Sequence, residues 1–142
     1  MGGDDHTTRV ARFRLARLDH VSLNVADRTL SIAWYADVLG LEQMNEPGAD
    51  DWPVFMGSFG ACIGLFQAQS GPAPAREPES AGLRHVAFTV GTGELDRVRE
   101  HLTALGVEHR FEVHGNAHSL YAADPDGNVI ELTTYEVAAP PG

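Results

Sequence analysis

The strongest constraint on the fold is an internal repeat. The segment Leu18–Val25 reads LDHVSLNV, and Leu83–Val90, 65 residues later, reads LRHVAFTV, with a histidine in the third place of both. A second pair of similar segments, Gly60–Leu65 and Gly127–Leu132, lies 67 residues apart. Repetition at such a period indicates two copies of one supersecondary unit. The chain is therefore predicted to fold as two similar halves.

Each half contains one predicted helix. In the first, Asp27 is a candidate N-cap and Gly40 a candidate end, with Ile32, Tyr35 and Leu39 on one face. The second helix is predicted from about Glu94 to Leu105, before Gly106, with Leu95, Val98, Leu102 and Leu105 as its apolar stripe. Each half is therefore predicted to contain one helix that connects two of its strands.

The remaining periodic segments are predicted strands. Clean alternation in Leu18–Val25 indicates a strand with one apolar and one polar face. A hairpin is predicted for Ser119–Tyr135 around the turn Asp124–Gly127. Shorter strands are predicted at Glu42–Asn45, Pro53–Met56 and Ala61–Gln67. Each half thus reads as strand, helix and three strands.

The predicted organisation is an α+β fold of two βαβββ modules that form a cup-shaped mixed sheet. Its parts are a partly disordered N-terminal arm (residues 1–16), a first module (17–69), a proline-containing linker (70–82), a second module (83–136) and a C-terminal tail (137–142).

Composition excludes several functions. The formal charge of −10 argues against nucleic acid and anionic membranes as partners. The sequence has no lysine, which excludes Schiff-base chemistry and a P-loop. The single Cys62 excludes an internal disulfide and is read as a small buried hydrophobe. Because no membrane span or signal peptide is evident, a cytoplasmic protein is expected.

The chemistry is predicted to centre on Glu131. Counting back from the turn places Tyr121 opposite Glu131 on one face of the hairpin, and a buried carboxylate there needs a partner. His20 and His85 occupy equivalent polar-face positions on the first strand of each module. Two imidazoles and one carboxylate can hold Fe(II) or Mn(II) and leave coordination sites open. His20, His85 and Glu131 are the predicted metal ligands.

The phrases LDHVSLNVAD, WYADVLGLE, LRHVAFTV and LYAADPDGNVIEL resemble the vicinal oxygen chelate superfamily, over residues 17–136. This superfamily includes glyoxalase I, methylmalonyl-CoA epimerase, fosfomycin-modifying enzymes, bleomycin-binding proteins and extradiol dioxygenases. The resemblance implies the paired-module cup and a divalent metal that chelates two adjacent substrate oxygens. It also implies a homodimer, whose sites lie within one chain or are shared between two.

Departures from individual branches narrow the function. Glyoxalase I and the epimerase resemble this chain but carry a fourth ligand, Glu or Gln, where the repeat places Gly64. Ser119 and Tyr121 match the fosfomycin enzymes, whose cationic cluster is missing here. Bleomycin-binding proteins lack the metal triad.

The extradiol branch matches the triad and Tyr121, ten residues before Glu131. Similarity to that branch implies acid–base catalysis by His114 or His118, near Asn116, with Tyr121 as a hydrogen-bond donor. The acid–base histidine that this branch places shortly before its second metal histidine has no counterpart here. Trp52, Phe55 and Met56 are expected either to wall the pocket or to pack in the core.

The leading hypothesis is thus a metal-dependent enzyme for a small substrate with vicinal oxygens, of the Fe(II) extradiol dioxygenase type. The alternatives are a glyoxalase-like isomerase or lyase and a non-enzymatic protein that binds a drug or metabolite.

Overall fold

The computed structural model describes residues 10–49, 52–71, 74, 77 and 79–135. The chain segments 1–9 and 136–142, and with them most of the predicted arm and the whole predicted tail, lie outside this range, as do five residues of the predicted linker. Residues 10–20 contain no helix or strand.

The elements follow the predicted order in both halves. The first module consists of β1 (Val21–Val25), α1 (Arg28–Leu39), β2 (Glu42–Gln43), β3 (Val54–Ser58) and β4 (Ala61–Gln67). The second consists of β5 (Val86–Thr89), α2 (Leu95–Ala104), β6 (Arg110–His114), β7 (Ala117–Ala123) and β8 (Val129–Tyr135).

The two sheets have the same topology. Their strand orders are β1-β4-β3-β2 and β5-β8-β7-β6. In each sheet the first strand pairs in parallel with the last, and the other pairs are antiparallel. The prediction of two βαβββ modules is confirmed.

Local chemistry explains the helix ends. The carboxylate of Asp27 accepts a hydrogen bond from the backbone N–H of Leu30 at 3.2 Å and so caps α1. Gly40 ends α1 in the left-handed conformation, with φ of 67°, which costs glycine little. The helix α2 is shorter than predicted, because it ends at Ala104 and leaves Leu105 exposed.

One apolar core joins the two modules. It is built from the alternate residues of the strands that face away from the polar sheet surfaces, together with Tyr35 of α1. Its members are Leu23, Val25, Tyr35, Leu41, Val54, Met56, Ile63, Leu65, Val86, Ile130 and Leu132. Because residues of both modules contribute, the modules fold against each other and leave the opposite sheet faces open. Cys62 is half-buried on such an open face, so its prediction as a buried hydrophobe holds only in part.

Polar contacts also cross between the modules. The buried hydroxyl of Tyr35 donates to Asp124 Oδ2 at 2.7 Å, and the backbone N–H of Ala26 donates to Asp126 Oδ1 at 2.9 Å. Both carboxylates lie in the turn between β7 and β8. The β7–β8 hairpin, which carries Glu131, is therefore attached to the first module through this turn.

Candidate metal centre

Strand register gathers the polar residues of the second module on one open face. Glu131 on β8 lies opposite Tyr121 on β7 and Ala87 on β5, and Thr133 lies opposite Ser119. Since side chains alternate along a strand, these residues share the face opposite to the core residues Ile130 and Leu132. The predicted pairing of Tyr121 with Glu131 is therefore present in the structure.

Both oxygens of Glu131 have partners. His85 Nε2 lies 3.0 Å from Oε2. Tyr121 donates its hydroxyl proton to Oε1 at 3.0 Å, and Ser119 Oγ lies 2.8 Å from the same oxygen. The side chain of Glu131 is 13% exposed and that of His85 is 32% exposed. Hydrogen bonds to Oε1 thus orient the Glu131 carboxylate so that Oε2 points toward His85.

The hydroxyl of Ser119 has a fixed role in this arrangement. Ser119 is fully buried, and its Oγ lies 2.8 Å from both Glu131 Oε1 and Thr133 Oγ1. A hydroxyl has one proton, and an ionised carboxylate can only accept. Ser119 therefore donates to Glu131, and Thr133 Oγ1 lies 2.8 Å from Ser119 Oγ and 3.4 Å from the backbone carbonyl oxygen of His118.

Tyr121 is held in its protonated form. Partial burial, followed by its hydrogen bond to the Glu131 carboxylate, raises the pKa of the Tyr121 phenol above its usual value. Its ring also packs edge-on against His85, with ring centres 5.9 Å apart. At neutral pH Tyr121 is accordingly a hydrogen-bond donor at the centre of this face.

The first module repeats this geometry without the acid. Phe55 lies opposite Gly64 as Tyr121 lies opposite Glu131. The rings of His20 and Phe55 pack edge-on with centres 5.1 Å apart, as the rings of His85 and Tyr121 do. The first module thus keeps the histidine of the pair and replaces the hydroxyl and the carboxylate with apolar groups.

Gly64 has no room for a side chain. A Cβ atom at this position would lie 2.7 Å from Ser22 Oγ and 3.2 Å from Phe55 Cε1. A larger residue must displace Ser22 Oγ and push back the ring of Phe55, so close packing alone accounts for the glycine. It follows that a fourth ligand at Gly64 would require Phe55 to move.

His20 has the environment of an oriented ligand. Its Nδ1 lies 2.7 Å from Asp19 Oδ2, and within the described residues its Nε2 has no partner. The hydrogen bond with His20 is the largest cause of the lowered pKa of Asp19. A carboxylate on the second ring nitrogen is the usual support of a metal-binding histidine.

One chain does not bring the three predicted ligands together. Among the described residues, no group of three or more His, Cys, Asp and Glu side chains can hold one metal ion. His85 and Glu131 are adjacent, whereas His20 lies on the open face of the other sheet with Asp19 and Phe55. The expectation that all three point into one trough is therefore not met within a single chain.

The two candidate acid–base histidines lie on opposite faces. His114 follows the register of Glu112 and Ser119 and so shares the face of Glu131. His118 pairs with Val113 and Thr134, one residue out of phase, and its ring packs against Phe111. Because side chains alternate along the strand, His118 points away from the open face and does not belong to the candidate site.

The other predicted wall residues separate as well. Met56 is fully buried in the core, Phe55 lines the open face beside His20, and Trp52 is 61% exposed. Asn116 lies in the exposed turn between β6 and β7. Of this set, Phe55 alone contacts a predicted ligand within the described part of the chain.

Sequence reasoning missed the charged edge of the site. Arg110 and Glu112 on β6 share the face of Tyr121, and the Arg110 guanidinium carbon lies 4.9 Å from the centre of the Tyr121 ring. Arg110, Glu112 and His114 alternate in sequence as an edge strand with one polar face does. That alternation was the available signal.

Comparison with known proteins agrees with this fold. Residues 17–132 match the family model described as the Glyoxalase/Bleomycin resistance protein/Dioxygenase superfamily. The chain belongs to this superfamily. The resemblance inferred from the sequence is thereby confirmed.

Individual relatives have several activities. The chain is 36% identical over 126 residues to biphenyl-2,3-diol 1,2-dioxygenase 3 of Rhodococcus globerulus, covering 87% of this chain and 66% of that enzyme, just under two thirds of its length. It is 26% identical to the glutathione transferase FosA of Serratia marcescens, covering 88% and 85% of the two chains. A glyoxalase/bleomycin resistance protein/dioxygenase domain from Frankia sp. EAN1pec, 24% identical, superposes with a TM-score of 0.75 over 89% of this chain and 96% of that domain. The last comparison supports the fold alone.

Proposed function

We propose that this protein is a metal-dependent enzyme that cleaves small aromatic substrates with vicinal hydroxyl groups, as an Fe(II) extradiol-type dioxygenase. The observation that carries the proposal is the group formed by His85, Glu131 and Tyr121, with His20 in the matching position of the other module. The similarity to the biphenyl-diol dioxygenase supports this substrate class.

The residues present fit a divalent ion. His85 Nε2 and Glu131 Oε2 are 3.0 Å apart, which is about the separation of adjacent ligands around an ion with bonds of about 2.1 Å. One carboxylate and neutral imidazoles are the donor set that suits Fe(II) or Mn(II). A normal hydrogen bond has the same length, and the metal titration described in the Discussion separates the two explanations.

In this proposal His20, His85 and Glu131 hold the ion. When bound, a divalent ion lowers the pKa of a coordinated hydroxyl and aligns two neighbouring oxygens of a substrate. Ser119 fixes the Glu131 carboxylate, and Tyr121 offers a phenol proton to an oxygen at its side. His114 Nε2, 2.9 Å from Glu112 Oε2, is placed to exchange protons at the rim of the same face.

We further propose that a homodimer completes the site. His20 of one chain would join His85 and Glu131 of a second chain, because the first module presents its histidine on an open sheet face. Two features support this arrangement: His20 Nε2 has no partner among the residues that the structure describes, and the apolar ring of Phe55 lies beside it. A two-fold dimer would then contain two equivalent sites.

Oxygen uptake tests the reaction. Protein loaded anaerobically with Fe(II) is expected to consume equimolar oxygen with catechol as the ring opens and both oxygen atoms enter the product. An oxygen electrode and the absorbance of the ring-opened product measure the two quantities. If Fe(II) binds but no catechol consumes oxygen, the dioxygenase assignment is wrong and an isomerase or lyase replaces it. If no divalent ion binds, a non-enzymatic binding protein replaces it.

A heterodimer of two inactive variants tests the shared site. His20→Ala and Glu131→Ala chains with different affinity tags are co-expressed, and the heterodimer is purified through both tags. One of its two sites then receives three intact ligands, so about half of the wild-type activity is expected per dimer. Each homodimeric variant serves as a control and should be inactive. A heterodimer as inactive as its parents, or the absence of any heterodimer, would show that the site lies within one chain.

A further inference from the structure

We infer that Arg110 is a substrate-binding residue that selects aromatic vicinal diols carrying a carboxylate, a conclusion that rests on the function proposed above. Arg110 lines the same open cavity as His85 and Tyr121. Among the described residues that register places on this face of the second sheet, it is the one permanent cation; Arg84 also lines the cavity but lies before β5, outside the paired strands.

The guanidinium of Arg110 is positioned from two sides. Its carbon lies 4.9 Å from the centre of the Tyr121 ring, and its Nε donates to Glu112 Oε1 at 2.7 Å. A guanidinium stacked on an aromatic ring and paired on one edge loses little further freedom when its other edge binds a ligand. Arg110 is thus preorganised although its side chain is 66% exposed.

The second edge of the guanidinium is available. Within the described part of the chain, the two Nη groups of Arg110 have no hydrogen-bond partner. Two parallel N–H groups in a plane match the two oxygens of a carboxylate. The geometry therefore favours a carboxylate.

The Tyr121 side chain connects the two ends of the site. The hydroxyl of Tyr121 contacts Glu131, and Arg110 covers the ring that bears this hydroxyl. A substrate ring beside that of Tyr121, with its hydroxyl groups at His85 and Glu131, would extend toward Arg110. A ring carboxylate opposite the hydroxyl groups would then reach the Nη edge.

Glu112 limits the strength of this interaction. It shares its carboxylate between Arg110 and His114, with Nε2 of His114 at 2.9 Å from Oε2. Removal of the Glu112 charge has two effects. It ends the repulsion of an incoming carboxylate, which strengthens binding, and it removes one of the two contacts that position Arg110, which weakens binding. Because the Tyr121 ring still supports the guanidinium, Glu112→Gln is expected to bind the carboxylate more tightly.

Anaerobic calorimetry with Fe(II)-loaded protein tests the inference. The wild type is expected to bind protocatechuate, which carries a carboxylate, about tenfold more tightly than catechol. Arg110→Gln should lose this preference and bind catechol as the wild type does, whereas Arg110→Lys should keep part of it. Equal affinity of the wild type for both compounds, or equal weakening of both by Arg110→Gln, would overturn the assignment.

A probe without hydroxyl groups separates this inference from the proposed reaction. Benzoate is titrated into metal-free protein and followed by NMR chemical shifts. Binding that is weak, shifts the Arg110 and Tyr121 signals and disappears in Arg110→Gln is expected even if the protein proves to bind no metal. Benzoate binding that is absent, or unchanged in Arg110→Gln, contradicts the role of Arg110 whatever the oxygen-uptake result.

Discussion

Glu131→Gln is expected to abolish tight binding of a divalent ion and to reduce any metal-dependent turnover by more than about 100-fold. That is beyond the 10- to 100-fold loss typical when a residue that merely supports a ligand is changed. The amide keeps the size of the side chain and can still accept the protons of Ser119 and Tyr121, but it removes the one negative charge of the ligand set. Metal titration by calorimetry, with the melting temperature followed in parallel, measures the loss.

Two controls sharpen this result. Ser119→Ala removes a proton donor to Glu131 Oε1 but no ligand, so metal affinity is expected to fall only 10- to 100-fold. His118→Gln removes a histidine from the opposite face of the same strand and should leave metal stoichiometry unchanged. A Glu131→Gln variant that binds the ion as tightly as the wild type would disprove the ligand assignment. The close approach of His85 and Glu131 would then be a simple hydrogen bond.

The fold was predictable because the sequence contains an internal repeat of the same structural unit. The repeated strand LDHVSLNV and LRHVAFTV, together with glycines after each helix, gave the order of the elements and placed most of them within a few residues, while β6 (Arg110–His114) received no predicted bounds. The exceptions are local. β2 is reduced to Glu42–Gln43 and α2 ends before Leu105, since element ends depend on tertiary contacts that a single segment does not contain.

Only the part of the site that lies within a single hairpin could be predicted from the sequence. Register from the turn correctly paired Tyr121 with Glu131, because both residues belong to neighbouring strands of known connection. The same alternation places His118, three residues before Tyr121, on the other face, and applying it would have removed His118 from the prediction. The position of His20 relative to Glu131 depends on how modules and chains assemble, and strand periodicity carries no information about that.

Asp124 is a buried carboxylate that holds the hairpin to the first module. It is 5% exposed and accepts four hydrogen bonds. The donors are the hydroxyl of Tyr35, the backbone N–H groups of Asp126 and Asn128, and the side-chain amide of Asn128, at 2.7 to 2.9 Å. A buried charge with several donors is stable as a unit and costly to break in part.

Asp124→Ala is therefore expected to lower the free energy of unfolding by about 3 kcal/mol or more, because it leaves a buried phenol and two backbone N–H groups without an acceptor. For a chain of this size, that corresponds to a decrease in melting temperature of roughly 10 °C. Denaturant titration and calorimetry measure both values. Because the turn positions β8, metal affinity at Glu131 should fall as well.

Tyr35→Phe and Asp126→Ala are the matched controls. Each removes one cross-module hydrogen bond. Loss of the exposed Asp126 should cost about 1 kcal/mol, and loss of the buried Tyr35 hydroxyl, which donates to a carboxylate, about 2 kcal/mol. Burial, and next the charge of Asp124, raises the pKa of the Tyr35 phenol, so the folded state retains a proton that the unfolded state releases near pH 10. Wild-type stability should consequently fall as the pH rises above about 10, and Tyr35→Phe should remove this dependence. If Asp124→Ala costs no more than Asp126→Ala, the buried carboxylate does not join the modules, and the apolar core alone holds the hairpin in place.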